Sequence, residues 1–120
     1  MGVRRMNRRT KTAFGEYLVN QIRQAGLSQE AFYKAVGIGK PYFYDILTGT
    51  PPPSDVQYKM IEVLESKTTA DLNRRNRLLN LAAKDRNEIP ADIDGLLRSN
   101  SDDWDQIRKL LKDLHVAQRE

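Results

Sequence analysis

The sequence predicts an all-α fold, a helical domain followed by a helical extension, and three observations predict it. Apolar residues recur three and four positions apart in successive segments, which places them on one face of a helix. Glycine and proline separate these segments, and residues that cap helices precede several of them. The chain has 120 residues, 39% of them apolar and 30% charged, which is enough for one compact domain with a modest core and an appendage.

The composition argues against several kinds of function. There is no cysteine, so a disulfide scaffold, a thiolate zinc site and a cysteine nucleophile are excluded. The one histidine, His115, lies among helical residues near the C-terminus, which is typical of a solvated side chain. No run of more than three apolar residues is present, so neither a bilayer span nor a signal-peptide core is expected. We therefore expect a cytoplasmic protein without catalytic residues, cofactor, metal or membrane partner.

Positive charge is concentrated in the N-terminal half. Residues 1–50 contain eight Lys or Arg and three Asp or Glu, whereas the remainder contains twelve and thirteen. Five of those eight basic residues precede the first periodic segment, namely Arg4, Arg5, Arg8, Arg9 and Lys11. Residues 1–11 are therefore interpreted as a basic flexible arm, which in a DNA-binding protein follows the phosphates or enters the minor groove. The alternative is a disordered start that only solubilises the chain.

Residues 12–25 are predicted to form the first helix, which ends before Gly26 and buries Phe14, Tyr17, Leu18 and Ile22. The second helix begins at Ser28, whose hydroxyl can accept from the N–H groups that open a helix. It ends at Gly37, where the chain needs a left-handed backbone, and Ile38 fills the turn. Its predicted buried face consists of Ala31, Phe32 and Ala35.

A third helix is predicted to begin at Gly39-Lys40-Pro41, because a proline in the first turn needs no N–H. It buries Phe43, Ile46 and Leu47, and Gly49 ends it. Its exposed residues are Lys40, Pro41, Tyr42, Tyr44, Asp45 and Thr48. Two short helices joined by a tight turn have the geometry of a DNA-binding motif, although such pairs also occur in all-α proteins that never touch DNA.

The fourth helix is predicted from Ser54 to about Leu64, because Ser54 and Gln57 have the spacing of a capping box. Residues 67–85 predict a long fifth helix with the apolar set Leu72, Leu78, Leu79, Leu81 and Ala82. Three arginines of that helix are expected to be exposed, either solvated or against a DNA backbone: Arg74, Arg75 and Arg77. Pro90 begins a short helix, and a last helix begins near Asp102.

The segment from Leu27 to Gly49 resembles the XRE-type helix-turn-helix family of phage Cro and CI repressors. In that family Leu, Ser or Thr, and Gln-Glu open the motif, a small residue lies in mid-helix, the turn is Gly and an aliphatic residue, and an aliphatic pair ends the second helix. The matching residues are Leu27, Ser28, Gln29, Glu30, Ala31, Gly37, Ile38, Ile46 and Leu47. The resemblance implies a five-helix repressor-like domain over residues 12–66. The chain departs from the family at Gly39, Pro41 and Asp45, so the bases contacted cannot be transferred.

In this motif the helix of residues 40–48 lies in the major groove, and the helix that begins at Gln29 crosses the backbone. Gln29 is expected to hold a phosphate and Lys40 to bind the edge of a guanine. Tyr44 would contact a thymine methyl or a phosphate, Asp45 would accept from cytosine or reject wrong sites, and Tyr42 packs inward or touches the backbone. The predicted DNA-binding residues are Gln29, Gly39, Lys40, Pro41, Tyr42, Tyr44, Asp45, Thr48, Arg8 and Arg9.

The last helix has an apolar stripe on a chain that already has a core. The stripe consists of Trp104, Ile107, Leu110, Leu111 and Leu114. It either folds back on the fifth helix or pairs with the same helix of a second copy. We favour dimerisation by residues 67–120, because helix-turn-helix modules gain affinity from two half-sites.

The sequence therefore predicts a sequence-specific transcriptional regulator of bacterial or phage type, a repressor that acts as a homodimer on an inverted-repeat operator in double-stranded DNA. No segment is left for an enzymatic domain, so repression by promoter occlusion is expected. Two alternatives keep the fold. In the first alternative, the chain is the antitoxin of a toxin–antitoxin pair and its C-terminal helices cover the toxin. In the second, it is a protein-interaction module without a DNA role.

Overall fold

The computed structural model describes residues 9–119, and the expectations about Arg4, Arg5 and Arg8 lie outside them. This part of the chain is helical without a strand, so the all-α prediction is confirmed. It contains seven α-helices: α1 (Ala13–Gln24), α2 (Gln29–Val36), α3 (Lys40–Thr48), α4 (Ser54–Lys67), α5 (Leu72–Arg86), α6 (Ala91–Ser99) and α7 (Trp104–Arg119). One turn of 3-10 helix, Ser101–Asp103, precedes α7.

A single hydrophobic core joins α1 to α5. Its largest fully buried side chains are three phenylalanines, one from each of the first three helices: Phe14, Phe32 and Phe43. Helix α4 contributes Met60, Ile61 and Leu64, and α5 contributes Leu78, Leu79 and Ala82. Burial of each large apolar side chain stabilises the fold by about 1.5–3 kcal/mol. Packing of these side chains therefore holds the five helices together. The core therefore continues through the fifth helix, past residue 66.

The buried face of α2 differs from the predicted one. Phe32 and Val36 are buried, whereas Ala31 and Ala35 are exposed. Residues four apart lie nearly above one another on a helix, so the two larger side chains face the core together. The two alanines lie together on one flank of that line. The prediction that Ala31 and Ala35 are buried was wrong, because short side chains do not decide which face is covered.

The start of α4 also differs from the predicted capping box. Ser54 is the first helical residue, the cap is Pro53, and no side chain caps the helix. The Gln57 side chain instead donates from Nε2 to the Pro52 carbonyl, at 2.7 Å, and is buried. Pro51 and Pro52 are themselves fully buried, so the proline loop fixes where the chain enters α4.

Helix α5 begins five residues later than predicted. Asp71 caps it by accepting from the N–H groups of Asn73 and Arg74, at 2.9 and 3.2 Å. Leu72, predicted to join the apolar set, is 69% exposed because it lies in the uncovered first turn. Thr68 to Asp71 form the connection from α4.

Three arginines of α5, Arg74, Arg75 and Arg77, contact the protein itself. Arg77 is exposed, as the sequence predicts, whereas Arg74 and Arg75 are half-buried, which corrects the expectation for those two. Arg74 donates to the Thr69 carbonyl at 3.0 Å. Arg75 lies 3.8 Å from the Glu65 carboxylate. The Arg77 guanidinium lies over the ring of Tyr17, 5.8 Å from its centre, and so joins α5 to α1.

Helices α6 and α7 form what we call the C-terminal hairpin. No residue from 91 to 118 is buried. The two helices share a shallow apolar groove whose apolar lining is Ile93, Leu96, Leu97, Ile107, Leu110 and Leu111. The stripe of α7 is not covered by α5, since Leu111 and Leu114 are 59% and 55% exposed. The hairpin thus presents apolar side chains that the chain itself leaves open.

Candidate nucleic-acid interface

Helices α2 and α3 are joined by the tight turn that the sequence predicts. Ser28 Oγ accepts from the Ala31 N–H at 3.0 Å and so caps α2. Gly37 ends the helix at φ 92°, a left-handed conformation that side chains disfavour. Its N–H and that of Ile38 both donate to the Tyr33 carbonyl, at 3.0 Å each. Three residues therefore separate the two helices.

Helix α3 is held against the core over its whole length. Near its start, the Phe43 ring packs on Phe32 and Tyr33 of α2, with ring centres 6.1 and 5.4 Å apart. Tyr33 is half-buried and lies against that ring. Ile46 and Leu47 are buried near the other end.

The chain before α1 fixes the C-terminal end of α3. The Thr12 N–H donates to the Leu47 carbonyl at 3.0 Å, and Thr12 Oγ1 accepts from the Gly15 N–H to cap α1. Gly15 lies directly against the Leu47 carbonyl, so that a Cβ there would overlap it. Sequence reasoning missed this glycine, because a close approach of two helices leaves no local signal. The outer face of α3 is thus presented by a rigid helix.

That outer face holds every α3 residue predicted to bind DNA. Successive residues are about 100° apart, so Pro41, Asp45 and Thr48 lie opposite the buried side. Lys40 and Tyr44 lie on one flank, with Tyr44 53% exposed. Tyr42 lies on the other flank and is 40% exposed, so it does not pack inward. The face is a continuous surface about two turns long.

The N-terminal end of α3 is open. Gly39 caps it in an extended conformation and no side chain accepts from the first N–H groups. The Phe43 N–H is the first of α3 to find a carbonyl, that of Gly39 at 3.0 Å, and Pro41 has no N–H. The amides of Lys40 and Tyr42 therefore remain at the exposed end, where the helix dipole favours an anion.

Charges beside this end leave one lysine without a partner. Lys34 is 2.9 Å from Glu30 on α2. Its hydrogen bond and charge lower the pKa of the Glu30 carboxyl, and Lys40 lowers it further through space. Lys40 itself forms no ion pair within residues 9–119. Gln29, at the first turn of α2, is exposed. Lys40 is thus the cation available to a ligand on this side of α3.

Arg9 reaches the centre of the α3 face. Its Nη2 donates to Asp45 Oδ1 at 2.6 Å, and both side chains are more than half exposed. The Thr48 hydroxyl forms a hydrogen bond within α3, because it donates to the Tyr44 carbonyl at 2.8 Å. The sequence placed Arg9 in a flexible arm and did not predict this contact, because the partners are 36 residues apart.

Arg86, at the end of α5, lines a groove beside Tyr42 together with the proline loop. It donates to the Pro51 carbonyl at 3.1 Å and pairs with Glu88 at 2.9 Å. The hydrogen bond with Glu88 raises the pKa of the Arg86 guanidinium. Because its donors are engaged inside the protein, Arg86 braces the loop that follows α3.

The predicted dimerisation residues lie apart from this face, on α7. Trp104, Leu110, Leu111 and Leu114 are exposed, and Ile107 is half-buried in the groove with α6. Arg8 lies outside the described residues.

Two features of the described residues bear on other kinds of site. No cluster of three or more His, Asp or Glu side chains within residues 9–119 could bind a metal ion. Among the helices described, none has the length and hydropathy needed to cross a membrane. Comparison of the chain with family models, with curated proteins and with solved structures found no match.

Proposed function

We propose that this protein is a sequence-specific DNA-binding transcriptional regulator, a repressor that binds an inverted-repeat operator as a homodimer. One observation carries the proposal. Helix α3 is braced on its inner side by α1 and α2 and exposes a polar and aromatic outer face beside the unpaired Lys40. A short, rigid helix with such a face suits the major groove, which is about 12 Å wide.

In the proposed complex α3 lies in the major groove with its N-terminal end nearest the bases, and α2 crosses the backbone. Lys40 donates to a guanine edge, and Tyr44 packs on a thymine methyl group or donates to a phosphate. Gln29 and the N–H groups behind Ser28 hold a phosphate. Three further predicted contacts, Gly39, Pro41 and Thr48, shape the face without free side-chain donors.

The C-terminal hairpin is proposed to pair with the hairpin of a second copy. Its exposed apolar side chains need a cover, and its charges give the pairing a direction. Acidic residues lie at and before the start of α7, Asp102, Asp103 and Asp105, and basic residues follow, Arg108, Lys109 and Lys112. An antiparallel pair places the acidic start of one α7 beside the basic turns of the other, which favours that arrangement.

Selection of bound sequences from random duplex DNA tests the function. We expect an enriched inverted repeat with half-sites about 34 Å apart, one turn of DNA. Lys40→Ala should weaken binding by about 1–3 kcal/mol at one base position and leave random-sequence binding almost unchanged. Equal loss on selected and random DNA would show that Lys40 does not bind a base. No enrichment at all would refute the proposed function.

An antitoxin role is the second candidate, and the open apolar hairpin is the observation that favours it. In that case the hairpin covers a toxin, and DNA binding serves autoregulation. Purified protein that stays monomeric at high concentration, yet forms a stable complex with the product of an adjacent gene, would support the antitoxin role over the homodimer.

A further inference from the structure

The centre of the α3 face has no free side-chain donor of its own. Pro41 has none, the Thr48 hydroxyl donates to the Tyr44 carbonyl at 2.8 Å, and Asp45 is an acceptor. A carboxylate alone at this place would face the DNA phosphates with a like charge. Arg9 brings side-chain donors to this place and offsets the negative charge of Asp45, because its Nη2 lies 2.6 Å from Asp45 Oδ1.

We propose that Arg9 and Asp45 act as one unit, in which Arg9 binds the edge of a guanine in the major groove and Asp45 positions its guanidinium. This assignment rests on the proposed function. It gives Arg9 a specificity-determining role, whereas an arm residue on the phosphates would bind all sequences alike. Asp45 becomes a positioning residue instead of a base contact.

The backbone explains why Arg9 is found there. Three residues later, the Thr12 N–H is bonded to the Leu47 carbonyl at 3.0 Å, which ties this part of the chain to the end of α3. A side chain as long as arginine then reaches back to Asp45, near the middle of the outer face. The place of Arg9 is therefore set by a backbone hydrogen bond as well as by its own ion pair.

The chemistry of arginine fits the role. The guanidinium is planar and has five N–H donors, and the bond to Asp45 uses one of them. Because the group is rigid, holding one edge orients the other, which can donate two hydrogen bonds to guanine O6 and N7. With 55% and 63% of the two side chains exposed, the pair itself adds little stability. The effect of the pair is to orient the Arg9 guanidinium.

The test compares Arg9→Lys, Asp45→Asn and the double variant with wild type on the selected duplex, on single-base variants of it and on random duplex. Arg9→Lys keeps the charge and loses the planar fork. We expect about 5- to 150-fold weaker binding to the selected duplex, with random binding unchanged. The loss should vanish on a duplex in which one particular guanine is replaced. Arg23→Lys, an exposed arginine of α1, is the matched control and should bind as wild type does.

Asp45→Asn should lose affinity at the same base pair as Arg9→Lys, and the double variant should bind no worse than Arg9→Lys alone. Equal loss by Arg9→Lys on selected and random DNA would overturn the assignment, since it would make Arg9 a phosphate contact. A loss at a different base pair for Asp45→Asn would also overturn it, since Asp45 would then bind its own base. In both cases wild-type selectivity would remain, so the proposed function would stand; a wild type without selectivity would refute both.

Discussion

At the scale of single residues, Gly15 determines how closely α1 approaches α3. A methyl group at this position would overlap the Leu47 carbonyl, which also accepts the Thr12 N–H. Backbone cannot yield as a flexible side chain can, so Gly15→Ala should destabilise the fold by about 1–3 kcal/mol or more. Urea unfolding followed by circular dichroism measures this change.

Gly95→Ala is the matched control for that substitution. Nothing lies within 4 Å of the added Cβ, and the residue is exposed on α6. Alanine should favour its helix by up to about 1 kcal/mol, so Gly95→Ala should not lower the stability. Equal destabilisation by both variants would mean that the contact of α1 with α3 is looser than described.

Residues whose role is local could be predicted from the sequence. Ser28 and Gly37 act within their own turn, and the sequence correctly predicts both as the residues that bound α2. Gln57 was misassigned, because its partner is a carbonyl of the proline loop and not the helix start. Arg9 and Arg86 were missed as contacts of α3 and its loop, since each pairs across about 35 residues that no spacing rule connects.

At the scale of helices, the periodic pattern located each element but not always its ends. Helix α3 was predicted with the correct buried residues, because proline and glycine bound it on both sides. Helix α5 was extended too far, since Lys67 to Asp71 has no such residue and the Asp71 cap was not recognised. Contacts with neighbouring segments could not be predicted from the pattern of one helix. Examples are the contacts of Arg74, Arg75 and Arg77 in α5.

Helix α7 gives a prediction at this scale. Leu111 lies in the apolar groove and is 59% exposed, so a second copy would bury it. Leu111→Asp places a charge in that contact and should convert the proposed dimer to the monomer of 13.8 kDa. Sedimentation equilibrium measures the mass. The single tryptophan, Trp104, is 46% exposed on the same helix, so its emission should shift to longer wavelength in the variant.

Leu72→Asp is the control for helix α7. Leu72 is also an exposed leucine, at 69%, but it lies at the start of α5, outside the hairpin. This variant should remain dimeric, with Trp104 emission like that of the wild type. Dissociation by both variants would indicate a dimer interface elsewhere than α7.

At the scale of the whole molecule, the core and the hairpin make separate contributions. Within the described part of the chain, every buried residue lies between positions 14 and 83, and none lies in α6 or α7. From the hairpin, Ala91 packs against the core and is only partly buried, so we expect the core helices to fold without the hairpin. The α3 face belongs to the core, whereas the proposed second copy is bound by the hairpin, so folding and half-site binding should be separable from dimerisation.

A chain ending at residue 90 tests this separation. It keeps the buried residues of α1 to α5 and loses the partly buried Ala91, and it keeps Asn87, whose N–H closes the last turn of α5. We expect cooperative unfolding with a midpoint independent of protein concentration, whereas the midpoint of the full chain should rise with concentration as dimer forms. Affinity for a single half-site should be retained. Affinity for the inverted repeat should fall by about 10²- to 10⁴-fold, because the two half-sites are then bound independently.

If the shortened chain bound the inverted repeat as tightly as the full chain, the hairpin would not be the dimer contact. Loss of half-site affinity in a chain that still folds would mean instead that the hairpin itself contacts DNA.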